Sequence, residues 1–252
     1  MGAWAQLSFG NFTLIDLIAA TTNAFNAALL VRRPTHYKHY TVVGILLLAV
    51  IGGIAGGVSR DVILNAIPAA VENPAYIVLC LLAGGVALVI HYRTGQRFRD
   101  GLFQFMTAFS LPWYAAVGAD KALNDHLPYV AAFLIGVIGA TAGRYLVDLT
   151  SGVTPKHFVR GEWFVGTAVL TAALYIVCSQ ALHLSIWPAT LISVGIAFVF
   201  RLVALFRGWE EPEPHEPASV AEGEAPRETL GKALRRHPQA QAEAGDSTGE
   251  DR

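Results

Sequence analysis

Apolar stretches of about twenty residues recur along this chain, separated by short polar gaps, and each is long enough to cross a bilayer as a helix. Seven qualify: about Phe12–Val31, Val42–Ala66, Ala75–Ile90, Leu102–Ala119, Val130–Leu149, Trp163–Leu182 and Ile186–Phe206. The first is polar for a span, with Asp16, Thr21, Thr22, Asn23 and Asn26. The fourth is interrupted by Pro112, which predicts a kink. Basic residues crowd every second gap: Arg32, Arg33 and Lys38, then Arg93, Arg97 and Arg99, then Lys156 and Arg160, then Arg207. The intervening gaps hold little positive charge. That asymmetry predicts the N-terminus outside and the C-terminus in the cytoplasm of a multi-pass inner-membrane protein.

Composition agrees. Of the 252 residues, 54% are hydrophobic and only 15% charged, where a soluble chain carries about a quarter charged. Mean hydropathy is +0.45. From Trp209 the character changes, and 210–252 reads as an acidic, Pro-rich, disordered cytoplasmic tail following a membrane domain over 1–209. Asp16 and Asn23 inside the first apolar run, with no basic region before it, argue against a cleaved signal peptide. Cys80 and Cys178 sit inside apolar runs and are expected to be packed core thiols. No basic domain, zinc spacing or nucleophile motif points to nucleic acid, a metal or an enzyme. His36, His39 and His91 are expected at the inner membrane surface.

The most informative stretch is Val50–Ile67. It carries Gly52, Gly53, Gly56 and Gly57, then Ser59, Arg60 and Asp61. Glycines four apart make small-xxx-small seams where another backbone approaches closely. Glycine also weakens a helix by about 1 kcal/mol relative to alanine, so a bend or break is the alternative expectation. Two charges just beyond that point cost several kcal/mol in lipid unless they are paired or face water. Arg60 and Asp61 are about 100° apart on a helix, which predicts further partners for each, with Asp16, Asn23, Gln104 and Arg201 as candidates.

Sliding the sequence by 87 residues lays Gly52 on Gly139, Gly56 on Gly143, Asp61 on Asp148, Pro68 on Pro155 and Tyr76 on Trp163. Two three-span units follow, about 12–92 and 98–182, with a seventh helix over about 186–206. Three is odd, so the second unit enters the membrane in the opposite sense, the arrangement in which irregular helices meet around a transported species. In the second unit Arg144 and Asp148 are four apart and are expected to pair along one helix face.

The run Ala55-Gly-Gly-Val-Ser-Arg-Asp-Val-Ile-Leu, followed by Pro68 and the Tyr76 span, resembles the glycine-rich Arg-Asp signature of the bacterial and archaeal trimeric intracellular cation (TRIC) channels, a group also labelled glycine transporters. Asp16, Gly118-Ala-Asp-Lys-Ala-Leu, Glu162-Trp163 and Arg201-Leu-Val-Ala add to the likeness, which covers about 12–209. The resemblance implies an all-α membrane fold of seven helices, two inverted three-helix repeats plus one, assembled as a homotrimer. It further implies a pore in each protomer, lined by kinked helices two and five and taking a monovalent cation, with potassium first and no cofactor. The second motif departs from the family pattern: Val147 stands where Arg60 would align, and Arg144 lies three residues earlier.

The residues expected to line or gate a path are therefore the four glycines, Ser59, Arg60 and Asp61 in the first unit, and Gly139, Thr141, Gly143, Arg144 and Asp148 in the second. Asp16, Asn23 and Arg201 are expected as supporting polar groups. A cation channel is the leading reading. A secondary carrier of a small zwitterion such as glycine is the alternative, and a non-conducting, lipid-binding assembly the third.

Overall fold

The computed structural model describes residues 11–33, 35–36, 38–93, 96–155, 157–158 and 163–211. The tail expected over 210–252 lies almost wholly outside the described residues. Among those described there is no strand. The helices are α1 (Asn11–Leu30), α2 (Val42–Ile63), a single turn α3 (Ala69–Glu72), α4 (Ala75–Arg93), α5 (Gln96–Asn124), α6 (Tyr129–Thr150), α7 (Phe164–Ile176) and α8 (Ile186–Arg207). A π turn, Val177–Ala181, closes α7. Among the described residues four helices, α2, α6, α7 with its π turn and α8, are long and apolar enough to cross a membrane. Shorter apolar runs lie in α1 (Leu14–Leu30) and α4 (Ala75–Ile90).

Local chemistry sets the boundaries. Thr41 caps α2 by accepting the Gly44 amide at 3.1 Å. At the other end Asn65 takes a left-handed φ of 54°, and the Ala66 amide returns to the Asp61 carbonyl at 2.8 Å. This is a Schellman closure, with asparagine in the place glycine usually fills. α6 ends in the same way 87 residues later, with Gly152 at φ 65° and the Val153 amide on the Asp148 carbonyl at 3.0 Å. Two expectations are corrected here. Pro112 does not interrupt its helix: α5 runs unbroken through it and extends well beyond Leu102–Ala119. The hydropathy window missed the polar ends, which hold helical geometry while contributing no apolar signal. The glycine stretch of α2 and its counterpart in α6 are likewise unbroken helix rather than unwound.

The glycines are used for proximity. A Cβ on Gly56 would lie 2.2 Å from the Gly139 carbonyl oxygen, and one on Gly143 would lie 2.6 Å from the Gly52 carbonyl oxygen. Gly52 therefore faces Gly143 and Gly56 faces Gly139, so α2 and α6 cross antiparallel, backbone on backbone. Gly53 lets α1 and α4 close in on the other side, its absent Cβ lying 2.6 Å from Cys80 Sγ and 2.9 Å from the Ala20 carbonyl. α5 meets α6 through Gly118 and Gly136, whose Cα would sit 2.9 Å from a Cβ on Gly118. The core around these crossings is largely alanine, including Ala20, Ala24, Ala28, Ala49, Ala115, Ala119 and Ala168. Large apolar side chains point outward instead, among them Leu47, Val62, Val78, Leu82, Val89 and Val199. Small and polar inside with branched apolar outside is the pattern that lipid imposes, because helices there associate through backbone packing. Both cysteines are buried free thiols, as expected.

Candidate functional site

Two ionic clusters flank the glycine crossing. The first is built on Asp61, in the last turn of α2. Its Oδ1 accepts from Arg60 Nε at 2.7 Å and from Lys121 Nζ at 2.8 Å, and its Oδ2 accepts the Ala69 amide of α3 at 3.0 Å. Arg60 turns its other two nitrogens onto Asp16 of α1, Nη1 to Oδ1 at 2.9 Å and Nη2 to Oδ2 at 3.2 Å. Tyr76 of α4 donates to Asp16 Oδ2 at 2.8 Å. Asp16, Arg60 and Asp61 are all at most 1% exposed. Charges buried this deeply hold only when hydrogen bonds as well as opposite charge surround them. The adjacent Arg60–Asp61 pair therefore bonds directly, and two of the further partners, Asp16 and Lys121, come from other helices.

The second cluster is built on Asp148 of α6, wholly buried. Its Oδ1 accepts from Arg144 Nε at 2.7 Å along the same helix face, as the spacing predicts, and bonds His36 Nε2 at 2.8 Å. The other nitrogen of His36 meets Thr35 Oγ1 at 2.9 Å. His36 is thus 2% exposed and part of the cluster, a role that sequence reading did not give it. A fully buried carboxylate needs donors, and the turn after α1 supplies one. His39 is exposed, and the side chain of His91 lies outside the described residues.

The two clusters share an arrangement, but of their ionic groups only the carboxylates Asp61 and Asp148 are in register through the 87-residue shift. Each carboxylate is held by an arginine of its own helix and by a group from the end of the first long helix of the other unit, Lys121 for Asp61 and His36 for Asp148. A further difference lies at Asp16, whose shifted partner is Phe103. Where Arg60 meets a carboxylate, Arg144 lies 5.6 Å over the Phe103 ring and 5.9 Å from the Phe164 ring centre. Arg33 stacks on the same Phe103 at 4.6 Å, and Arg201 of α8 lies 5.8 Å over Phe164. The first cluster is rich in carboxylate and the second in guanidinium and aromatic rings.

The other expected residues are placed as follows. Arg201 is buried beside the second cluster rather than near Arg60. Asn23 is half-buried on α1, while the neighbouring Asn26 makes the buried amide contact, donating to Thr107 Oγ1 at 2.8 Å. Ser59 is half-buried. Thr141 turns its hydroxyl back onto the Val137 carbonyl at 2.9 Å, and its own carbonyl accepts from His157 Nε2 at 3.1 Å. Val147, in register with Arg60, is fully buried and packs towards Gly52. Burial pushes the His157 ring below its ordinary pKa, opposed by the Thr141 carbonyl and by Asp148.

A small cavity, with room for about one water molecule, opens on the first cluster. It is lined by Asp16, Gly57, Arg60, Asp61, Tyr76 and Tyr114 together with Ile54 and the alanines of α3. Tyr114 is a site residue that sequence reasoning missed. It lies 2% exposed on α5 and donates its hydroxyl to the Gly53 carbonyl. Its signal was faint: it stands seven residues before Lys121, on the same α5 face.

Among known proteins, the TRIC trimeric intracellular cation channel orthologue from Rhodobacter sphaeroides superposes with a TM-score of 0.69 at 29% identity, covering 79% of this chain and 98% of that one. A prokaryotic TRIC channel solved in 0.5 M KCl gives a TM-score of 0.71 at 19% identity with the same coverage, a likeness of fold. The UPF0126 inner membrane protein YadS of Escherichia coli K12 is 22% identical over 163 residues, 64% of this chain and 78% of its own length. A UPF0126 membrane protein of Vibrio cholerae is 24% identical over 193 residues, 76% of this chain and 78% of its own. A family model described as glycine transporter matches residues 13–92 and 104–180, two segments that bring in Asp61 and Asp148 respectively. The chain therefore belongs to the glycine transporter family, the group to which the glycine and Arg-Asp signature of α2 points through its resemblance to TRIC channels.

Proposed function

We propose that this protein forms a permeation pathway for monovalent cations across the inner membrane, potassium foremost, with one path per protomer of a homotrimer. The observation that carries the reading is the pair of buried carboxylates, Asp61 and Asp148, at either end of the α2–α6 glycine crossing, each bound from both halves of the molecule. Fixed charge in lipid is tolerated where it lines a hydrated route or is paired. The cavity on the first cluster supplies the beginning of such a route. In this reading the conformation is a shut one, with the helices unbroken and both arginines bound to carboxylates. The likeness to the Rhodobacter sphaeroides channel supports it.

The same reading takes the long helices as seven spans, N-terminus outside, in two inverted repeats plus α8. The reciprocal contacts of Gly56 with Gly139 and Gly143 with Gly52, and the matching helix closures at Asn65 and Gly152, support that symmetry. The path runs along α2 and α6, past the glycines, Ser59, Arg60, Asp61, Thr141, Arg144 and Asp148. The test is potassium flux into liposomes. Asp61→Asn removes the charge that Arg60 and Lys121 share, and altered flux is expected. Unchanged flux with intact trimers removes Asp61 from the mechanism.

The description of the matching family favours a second reading, a carrier of glycine. A carrier gives saturable counterflow of labelled glycine. A channel gives unitary currents that do not saturate at modest concentration.

A further inference from the structure

Two buried side-chain oxygens, Asn26 Oδ1 on α1 and Ser110 Oγ on α5, have no hydrogen-bond partner among the described residues. Asn26 is 8% exposed and Ser110 is fully buried. A neighbour fixes which way the amide points. Thr107 donates its one hydroxyl proton to the Phe103 carbonyl at 2.8 Å, so it can only accept from Asn26, whose Nδ2 lies 2.8 Å away. The nitrogen is thereby committed to Thr107 and Oδ1 is turned elsewhere. A buried oxygen without a partner costs free energy, and a bound water or ion is the usual reason for one to persist.

These oxygens lie on a polar stripe that joins the two ionic clusters. Thr107, Ser110, Tyr114 and Lys121 fall within about 60° of one another around α5. At one end Lys121 holds Asp61, and Tyr114 lines the cavity of that cluster. At the other end Phe103, whose carbonyl Thr107 bonds, carries Arg33 and Arg144 over its ring. An ion cannot pass between α2 and α6, where a single methyl group at Gly56 finds no room. A route between the clusters therefore keeps to the side of α2 where Gly53 meets α1 and Gly57 meets Tyr114. The 87-residue shift lays Asn23 on Ser110, so each unit sets a neutral polar side chain at that point of its first long helix.

We propose that Asn26 Oδ1 and Ser110 Oγ form a binding site for a partly dehydrated monovalent cation, between the two carboxylates of the path. This rests on the cation-path reading above. Neutral amide and hydroxyl oxygens replace the hydration shell of such an ion, whereas a divalent ion calls for carboxylates. Ser110→Ala removes one ligand without breaking a side-chain hydrogen bond, so its melting temperature should equal or exceed that of wild type. In a planar bilayer its unitary potassium current should nevertheless fall severalfold, with open probability unchanged, and Asn26→Leu should lower the current likewise. Potassium chloride should raise the melting temperature of wild type above its value in N-methylglucamine chloride at equal ionic strength. Ser110→Ala should lose most of that difference. A conducting wild type with Ser110→Ala at parity in unitary current overturns the site, leaving a structural water there, and the path stands. Absence of cation current in wild type overturns the path. The potassium shift in melting then decides the site by itself: its loss in Ser110→Ala upholds the site, and an equal shift in both proteins overturns it.

Discussion

The α2–α6 crossing makes a quantitative demand on Gly56. In Gly56→Ala the new methyl would sit 2.2 Å from the Gly139 carbonyl oxygen, where ordinary contact begins near 3.4 Å, so the helices must separate by more than 1 Å. The obstructing atom is backbone, which cannot rotate away as a side-chain tip can. Overpacking of this kind costs about 1–3 kcal/mol, and a rigid backbone neighbour puts the site towards the upper end. Replacing a mid-helix glycine by alanine returns about 1 kcal/mol. The net expectation is a loss of about 1–2 kcal/mol. Gly195→Ala in α8 is the control: nothing lies within 4 Å of its Cβ, so only the helix gain remains. At about 2–4 °C per kcal/mol for a chain of this size, Gly56→Ala should melt roughly 2–8 °C below wild type in detergent. Gly195→Ala should melt slightly above it. Scanning fluorimetry of the purified proteins measures both. A Gly56→Ala protein as stable as Gly195→Ala would refute the claim that these glycines exist for backbone proximity.

Asp16→Asn removes the charge that faces the buried Arg60 guanidinium through two hydrogen bonds, which should cost about 3–5 kcal/mol in the same melting assay. The double variant Asp16→Asn/Arg60→Met should recover part of that loss, and no recovery would show that the cost lies elsewhere. Burial holds the folded-state pKa of His157 below that of the unfolded chain, so the folded protein binds fewer protons there. Stability from this residue is therefore full above about pH 6.5, the unfolded value, and falls as pH drops from there through the folded value. Its Nδ1 has no hydrogen-bond partner among the described residues to receive that proton. His157→Asn should flatten the pH dependence of melting between about pH 7 and 5, and an unchanged profile would assign the acid sensitivity to another group.

Much of the architecture was legible in one dimension because lipid is a demanding solvent. Each long helix except α5, whose polar ends extend well past its apolar run, lies within a few residues of an expected span, since a backbone in hydrocarbon must satisfy itself. The glycines four apart, the Arg144–Asp148 spacing and the 87-residue correspondence also stand in the sequence, because helical periodicity converts spacing into direction. The choice between breaking a helix and packing it closely did not stand there. Glycine permits either, and only the partner helix decides: the carbonyls of Gly139 and Gly52 occupy the space that side chains would need.

Which charges meet across the chain was also beyond the sequence. Arg60 and Asp61 had four candidate partners between them on paper, and the approach of α1 selected Asp16 for Arg60. Lys121 and His36 read as gap residues, yet each reaches the carboxylate of the other unit. Tyr114 drew no reading from the sequence, and only the packing of α5 places it over Gly53 and Gly57. Hydropathy and spacing act along the chain and so can be read from it, whereas the pairing of buried charges depends on distances between helices that only packing fixes.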